Sequence, residues 1–333
     1  MKAIILNGFG DVSNFSLAEM ETPVIKNDEV LIQIKAAAFN PIDYQMRLGL
    51  RESRLMRSPV LGREFSGVVL KTGNEVNDFE PGDEVMALAG SRGSNGSYAQ
   101  LMGLNHKLLA KKPKNISFEQ AAAIPSSGVT AWQCLTRMGA TKNNSIFING
   151  AAGGVGRFLI KLLKSQGISN IVATAGSEQS ITALRDLGLN AAQIINYKDD
   201  ELEQNILNAN AGNKFNFAVD IVGGSIAETA AQVLAVNGTY LDVTFLGTQT
   251  TREILFDKGC NILNISGYAY ALADNLGWYG NTLNKITALI EQGDIDAPAV
   301  NVIGKFSIQT VQQAHVLMEA NQIYGKKLVM TIS

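Results

Sequence analysis

The apolar residues of this chain change their spacing about a third of the way along. Up to about residue 120 they alternate with polar ones or gather in short runs. "EVLIQIKAAAF" (29–39) and "FSGVVLKTG" (65–73) read as strands, punctuated by Pro81-Gly82 and by the loop "GSRGSNGSYA" at 90–99. From about Pro125 apolar strands are expected at 145–149, 171–175, 193–196, 215–220, 239–243 and 262–267, with helical segments between them. One of these, "EQSITALRDLG", ends on Gly188, a residue suited to a helix C-cap. Strand and helix in regular alternation predict a parallel, doubly wound sheet, so the fold class is α/β. The tail adds amphipathic helices near 281–292 and 308–321 and a closing strand, "KKLVMTI".

The stretch Phe147–Lys164, "FINGAAGGVGRFLIKLLK", carries the first chemical signal. Ile146, Phe147 and Ile148 form a run of strand length, and Val155, Phe158, Leu159, Leu162 and Leu163 then recur at helical spacing. At such a turn the first helical N–H groups lack intrahelical partners and the helix dipole leaves that end partly positive, so an anion is stabilised if side chains leave room. The spacing Ala151-x-Gly153-x-x-Gly156 is an alanine variant of the dinucleotide fingerprint. In that reading a pyrophosphate lies against the backbone of Ala152, Gly153, Gly154 and Val155, and Gly156 lets helix and strand pack closely. The alternative is a glycine-rich turn inside an α/β core. With a β-rich first part and a mixed tail on either side, the expected place for a substrate is a cleft between two domains.

Composition narrows the field. A chain of 333 residues suits two domains, and 46% hydrophobic against 17% charged residues makes it globular. The formal net charge is −2 with no evident Lys/Arg cluster, which argues against nucleic acid as the main partner. The opening "MKAIILNGFG" is too short for a signal sequence and no apolar run approaches a membrane span, so no membrane partner and a cytoplasmic location are expected. Cys134 and Cys260 stand outside any CxxC pair and read as ordinary reduced thiols. His106 and His315 stand alone and read as surface or packing residues.

Across essentially its whole length the chain resembles the zinc-independent quinone oxidoreductases of the medium-chain dehydrogenase/reductase superfamily. The segments that carry the resemblance include "AAAFNPIDYQMRLG" (36–49), "LGREFSGVV" (61–69), "GDEVMAL" (82–88), "GSYAQ" (96–100), "QAAAIPSSGVTAW" (120–132), "GAAGGVG" (150–156), "TAGSEQS" (174–180), "INY" (195–197) and "GKKLV" (325–329). The resemblance implies a GroES-like β-rich catalytic domain from 1–124 and 269–333 and a Rossmann NADP-binding domain at 125–268. Zinc relatives would place Cys, His and Cys where this chain has Asn40, Arg63 and Ser126. Their cysteine-rich lobe is also missing. No metal ligand is expected, because zinc sites need Cys, His or carboxylate sets.

The second-strand tip reads Ala175-Gly176-Ser177, without the acid that takes ribose hydroxyls in NAD-binding versions. The resemblance therefore implies NADPH, with Ser177 on the 2′-phosphate, Tyr197 beside it and Ser180 where relatives offer a lysine. Lys198 or Lys326 are the candidates to compensate, and Glu178 reads as a solvated first-turn residue. Thr130 matches the position beside the nicotinamide, and Val222, next to Asp220, matches contacts on the adenosine side.

For the chemistry, Asn40 and Tyr44 are the candidate donors to an acceptor's carbonyl oxygen. Tyr44 has packing as its alternative, since relatives carry their tyrosine where this chain has Gln45. Asp43 reads as an anchor of its loop. Arg63 either orients the acceptor or pairs with Glu64 or Asp43. Trp132, Trp278, Tyr268, Tyr270 and Tyr279 are candidates for the lining of an apolar pocket. Three activities remain open: reduction of quinones, reduction of α,β-unsaturated carbonyls, and a catalytically idle nucleotide sensor. Relatives of this kind are often homodimers.

Overall fold

In the computed structural model, which describes residues 1–89, 96–323 and 325–333, six strands of the middle region form one parallel sheet. The loop expected at 90–99 lies mostly outside the described residues. The strands are Ile146–Asn149, Ile171–Ala175, Ile194–Asn196, Phe215–Asp220, Leu234–Asp242 and Asn261–Asn264. Numbered one to six in chain order, they lie in the order 3-2-1-4-5-6. This is the doubly wound dinucleotide order, whose direction of winding reverses between the first and fourth strands. The fifth strand starts five residues sooner than its apolar pattern suggests. Leu234 already pairs with Phe215 before a bulge at Phe215/Phe217 and before Asn237, whose φ is +59°, resets the register.

The helices follow from their apolar stripes and caps. Gly154–Ser165 buries Phe158, Leu159, Ile160, Leu162 and Leu163, each worth roughly 1.5–3 kcal/mol of transfer free energy. Glu178–Arg185 is capped by Ser177, whose hydroxyl accepts the Ser180 N–H at 3.2 Å. It is followed by Gly188 at φ +78°. Phe147, Val172, Phe215, Tyr240 and Leu255 form the centre of the core under this sheet.

The chain divides into this unit, Thr130–Gly267, and a second one made of Met1–Val129 and Tyr268–Ser333. The division falls inside the helix Pro125–Met138. The second unit holds a seven-stranded sheet. Its path runs Val300–Lys305, Lys327–Thr331, Glu29–Ala38, Glu64–Thr72, Glu84–Leu88 and Leu109–Lys111, with Leu101–Asn105 also on Glu29–Ala38. Ala38 is flanked by Glu64 on one side and Val329 on the other. The tail helices are Gly277–Gln292, four residues longer at its start than expected, and Ile308–Glu319. No helix among the described residues is long and apolar enough to cross a membrane.

His106 Nδ1 sits 2.8 Å from an Asp78 oxygen, whereas His315 is fully buried in an aromatic cage. Its ring centre is 4.9 Å from Phe15, 5.9 Å from Tyr98 and 6.3 Å from Phe39, and its Nε2 is 3.2 Å from the Tyr98 hydroxyl. Burial, and then the nearby Arg47 charge, push the imidazole down to about 3. The folded state thus keeps His315 neutral at pH values where the unfolded chain, titrating near pH 6.5, takes up a proton. The unfolded state binds more protons in that window, so His315 makes stability fall as pH drops from about 6.5 towards 3. Urea denaturation of wild type and His315→Gln at pH 7 and pH 5 should show the wild-type advantage shrinking by about 2 kcal/mol. A gap independent of pH would show that the buried imidazole is protonated in the fold.

Candidate functional site

The glycine turn closes on itself through backbone contacts. Gly153 N–H donates to Gly150 C=O at 3.0 Å, and Gly150 takes φ +67°, a conformation that side chains disfavour. A Cβ on Gly156 would fall 2.5 Å from Ala151 Cα, so the helix can lie this close to the strand only with glycine there. Gly153 differs. At φ −75° and ψ 173° its backbone suits any residue, and an added Cβ would meet only Gly150 O, at 3.3 Å. Gly154 is exposed, while Ala152, Gly153 and Val155 are half-buried, so the front of the turn is open. Val222, 47% exposed, lies over it, its Cγ2 2.8 Å from where a Gly150 Cβ would be.

Val222 is held there by the two residues that end the central strands. Asn149 Nδ2 donates to Asp220 Oδ1 at 2.8 Å, and Asn149 Oδ1 accepts from Ile221 N–H at 2.7 Å. Asp220 Oδ1 also accepts from the N–H groups of Val222 and Gly223, and Oδ2 accepts from the Tyr240 hydroxyl at 2.7 Å. Burial, reinforced by the Asp220 charge, pushes the Tyr240 phenol up, so it remains a donor at all ordinary pH. Asp220 therefore shapes the turn.

At the tip of the second strand the structure gathers Ser177, Ser180 and Tyr197. The Ser177 hydroxyl lies 3.0 Å from that of Ser180. The Tyr197 ring covers Gly176 so closely that a Cβ there would be 2.2 Å from Cε1. Lys198 Nζ sits 6.0 Å from the centre of the Tyr197 ring. Glu178 is exposed on the first turn of its helix, as expected. Thr130 is half-buried in the second turn of Pro125–Met138. Lys326 is an exposed residue of the other unit.

The second unit builds a buried polar cluster around Asn40. Asn40 precedes the helix Pro41–Arg47, and its N–H donates to Asp43 Oδ2 at 2.8 Å, which makes Asp43 an anchor of the loop. Its amide is held at both ends: Nδ2 donates to Glu64 Oε1 at 2.9 Å and Oδ1 accepts from Lys327 Nζ at 2.5 Å. Lys327 also pairs with Glu64 Oε1 at 2.7 Å, and Glu64 Oε2 accepts from Ser126 N–H at 2.7 Å. Antiparallel pairing explains the meeting, since Ala38 opposes Val329 and the next step outward sets Asn40 against Lys327. One Asn40 N–H remains after the Glu64 bond, the donor that an acceptor oxygen needs. Burial, opposed by the Asn40 bond and by Arg63, pushes Asp43 up to about 7.

Arg63 Nη1 donates to the Tyr268 hydroxyl, and its guanidinium lies 5.1 Å from the centre of that ring. Tyr268, which the sequence suggested only as a pocket aromatic, is thus the partner that orients Arg63. Tyr44 is half-buried on the same helix as Asp43. Tyr270 and Trp278 stack on one another at 3.6 Å, with Tyr279 edge-on to both. Sequence reasoning missed Lys327 because "KK" offers two equivalent ammoniums, and strand register alone decides which one turns towards Asn40.

A zinc ion does not fit these residues. The positions that hold its ligands in zinc relatives carry an amide, a guanidinium and a serine, and the Lys327 ammonium sits among the remaining oxygens. Among the described residues no group of three or more His, Cys, Asp or Glu is placed to hold a metal.

Two family models match, the alcohol dehydrogenase GroES-like domain over residues 26–114 and the zinc-binding dehydrogenase over residues 154–276. The 2-methylene-furan-3-one reductase of Solanum lycopersicum is 32% identical over 100% of this chain and 79% of its own length. The chloroplastic NADPH-dependent alkenal/one oxidoreductase of Arabidopsis thaliana is 32% identical over 100% of this chain and 80% of its own. Among solved structures, the quinone oxidoreductase of Coxiella burnetii superposes with a TM-score of 0.83 at 26% identity, covering 100% of this chain and 99% of that one. With both domain models in sequence and relatives aligned from end to end, this chain belongs to the medium-chain dehydrogenase/reductase superfamily of oxidoreductases.

Proposed function

We propose that the protein is an NADPH-dependent reductase of α,β-unsaturated carbonyl compounds, acting without zinc. The observation that carries this reading is the open glycine turn at the switch point of the parallel sheet, with Ser177, Ser180 and Tyr197 gathered at the neighbouring strand tip. When bound, NADPH supplies the hydride. Backbone N–H groups at Ala152–Val155 hold its pyrophosphate, and the Ser177 hydroxyl and the Tyr197 edge take the 2′-phosphate. Thr130 and Val222 line the two ends of the same cofactor. The free Asn40 N–H, and Tyr44 beside it, bind the acceptor's carbonyl oxygen and stabilise the negative charge that grows there as hydride arrives. Lys327 polarises the Asn40 amide through its oxygen, which strengthens that N–H as a donor.

Two end-to-end relatives named for enone substrates favour this acceptor. Quinones are the second reading, supported by the likeness to the Coxiella burnetii quinone oxidoreductase and to a spinach quinone-oxidoreductase homolog, which is 30% identical over 73% of this chain. Both acceptors present an electron-poor carbon conjugated to a carbonyl. NADPH oxidation measured with a panel of enones and quinones ranks them by kcat/KM, and no turnover with any member would remove the reading.

Calorimetry should show NADPH binding at least about tenfold, or roughly 1.4 kcal/mol, more tightly than NADH. Equal affinities would mean that the Ser177 tip does not read the phosphate. Gly153→Val should weaken NADPH by at least about 2 kcal/mol, the scale of a few charge-assisted hydrogen bonds, while melting within a few degrees of wild type, because its backbone angles suit valine. Asn40→Ala should instead lower kcat while the NADPH Kd stays within about twofold. If Gly153→Val binds NADPH normally, the turn is only a turn. Elemental analysis should find no stoichiometric zinc, with activity unchanged in a chelator, and about one tightly held zinc per chain would overturn the Lys327 argument.

A further inference from the structure

Asp43 is wholly buried, yet only one of its carboxyl oxygens is used. Oδ2 accepts the Asn40 N–H at 2.8 Å, whereas Oδ1 has no hydrogen-bond partner among the described residues. A buried carboxylate with a bare oxygen is costly, so the site calls for either a proton on the carboxyl or a donor that can turn to it. Tyr98 is placed to be that donor. Its phenol is also wholly buried, and burial first and then the charge of the neighbouring Asp43 push it well above the usual tyrosine range. The hydroxyl is nevertheless bonded to His315 Nε2, at 3.2 Å, and not to Asp43 Oδ1. The other ring nitrogen, His315 Nδ1, is buried without a partner.

Asp43, Tyr98 and His315 thus stand in line, and what can change along the line is the direction of its hydrogens. The Tyr98 ring is wedged, with Phe39 at 5.2 Å on one side and Gly62 so near that a Cβ there would fall 2.6 Å from Cδ1. Its backbone is tied to Ile4 and Leu61. The hydroxyl hydrogen rotates without moving the ring, and a neutral imidazole carries its hydrogen on either nitrogen. With Asp43 neutral, Oδ1–H donates to the phenol oxygen and the phenol donates to His315 Nε2. With Asp43 ionised, the phenol donates to Oδ1 and His315 Nε2–H donates to the phenol. Both joints stay bonded in both states, which differ by one proton released to solvent. The charges that face Asp43 are Arg63 and Lys327, which favour its carboxylate, and Glu64, which opposes it; burial outweighs them and sets the balance at about 7.

Resting on the reductase reading, we propose that Asp43 and Tyr98 are positioning residues that act on the reaction through Asn40. While Asp43 is neutral, the Lys327 charge reaches the Asn40 amide offset by Glu64 alone. When Asp43 ionises, the phenol turns to it, and a second negative charge beside Asn40 opposes the one growing on the acceptor oxygen. Hydride transfer is therefore faster below the titration of Asp43 and slows as pH rises through it.

Single-turnover oxidation of NADPH by an enone, followed from about pH 6 to about pH 8.5, should slow at least about fivefold in wild type. Asp43→Asn keeps an acceptor for the Asn40 N–H, sets an amide N–H where Oδ1 stands and has no charge to gain, so its rate should lose this break. Tyr98→Phe removes only the hydroxyl, leaves the ionised carboxylate without a donor and should raise the midpoint by at least about one pH unit. The infrared C=O stretch of a protonated carboxyl supplies a readout independent of turnover. Taken as the difference between each protein and its own Asp43→Asn counterpart, it should vanish over the same pH range in wild type and at higher pH in Tyr98→Phe. A band that does not titrate, or a midpoint that Tyr98→Phe leaves in place, refutes the switch. A band that titrates and shifts while the rate stays flat refutes the action on Asn40 and leaves the reductase reading standing. If no enone or quinone is reduced at any pH while the band titrates and shifts, the switch stands and the reductase reading falls.

Discussion

A carboxylate removed from water costs several kcal/mol unless opposite charge and hydrogen bonds replace its hydration, and Glu64 is removed completely. Its two oxygens gather the Asn40 amide, the Lys327 ammonium and the Ser126 N–H, three groups from distant parts of the sequence. The strand order of the β-rich unit serves this requirement. Glu64–Thr72 and Lys327–Thr331 flank Glu29–Ala38, so that charge, countercharge and amide meet just past its end. The orientation of Asn40 is a by-product of satisfying Glu64. An amide held at both ends cannot flip, so the direction of its remaining N–H is fixed by the fold.

The doubly wound sheet was readable because its central strands, Ile146–Asn149 and Ile171–Ala175, are buried along their whole length and its helices are striped, two patterns that a parallel sheet covered on both faces imposes. The glycine turn was readable for a similar reason: Gly156 answers to a local constraint, its distance from Ala151. The Asn40 cluster was only half legible. Asn40, Asp43 and Arg63 stand in recognisable segments, but Lys327 owes its role to pairing across nearly three hundred residues, and its neighbours Leu328, Val329 and Met330 are all buried, so no alternation marks which lysine turns in. The extended fifth strand escaped notice because a bulge breaks its period.

The same cluster sets a cation and an amide where zinc relatives are expected to hold their metal. A metal polarises a carbonyl by its own charge; in the proposed reaction the Lys327 ammonium would act at one remove, through the Asn40 amide it is bonded to. That cation is a residue of the strand Lys327–Thr331, part of the chain itself. Its charge is offset by Glu64 at 2.7 Å, which leaves a directional donor where a metal would leave a strong Lewis acid. Such a site suits an acceptor that is already electron-poor.

One unit of this protein is continuous in sequence and the other is interrupted by it, and this bears on how the chain matures during synthesis. The dinucleotide unit, Thr130–Gly267, is complete once residue 267 has left the ribosome, and chains tend to fold as their domains emerge. The β-rich unit begins first yet finishes last. Until Lys327 has been made, Glu64 has no countercharge, and the strand Glu29–Ala38 lacks the neighbour that Lys327–Thr331 provides. The nascent amino-terminal segment therefore spends most of translation with an open sheet edge, which is the state most exposed to misassociation and the stage at which a chaperone would find its binding site.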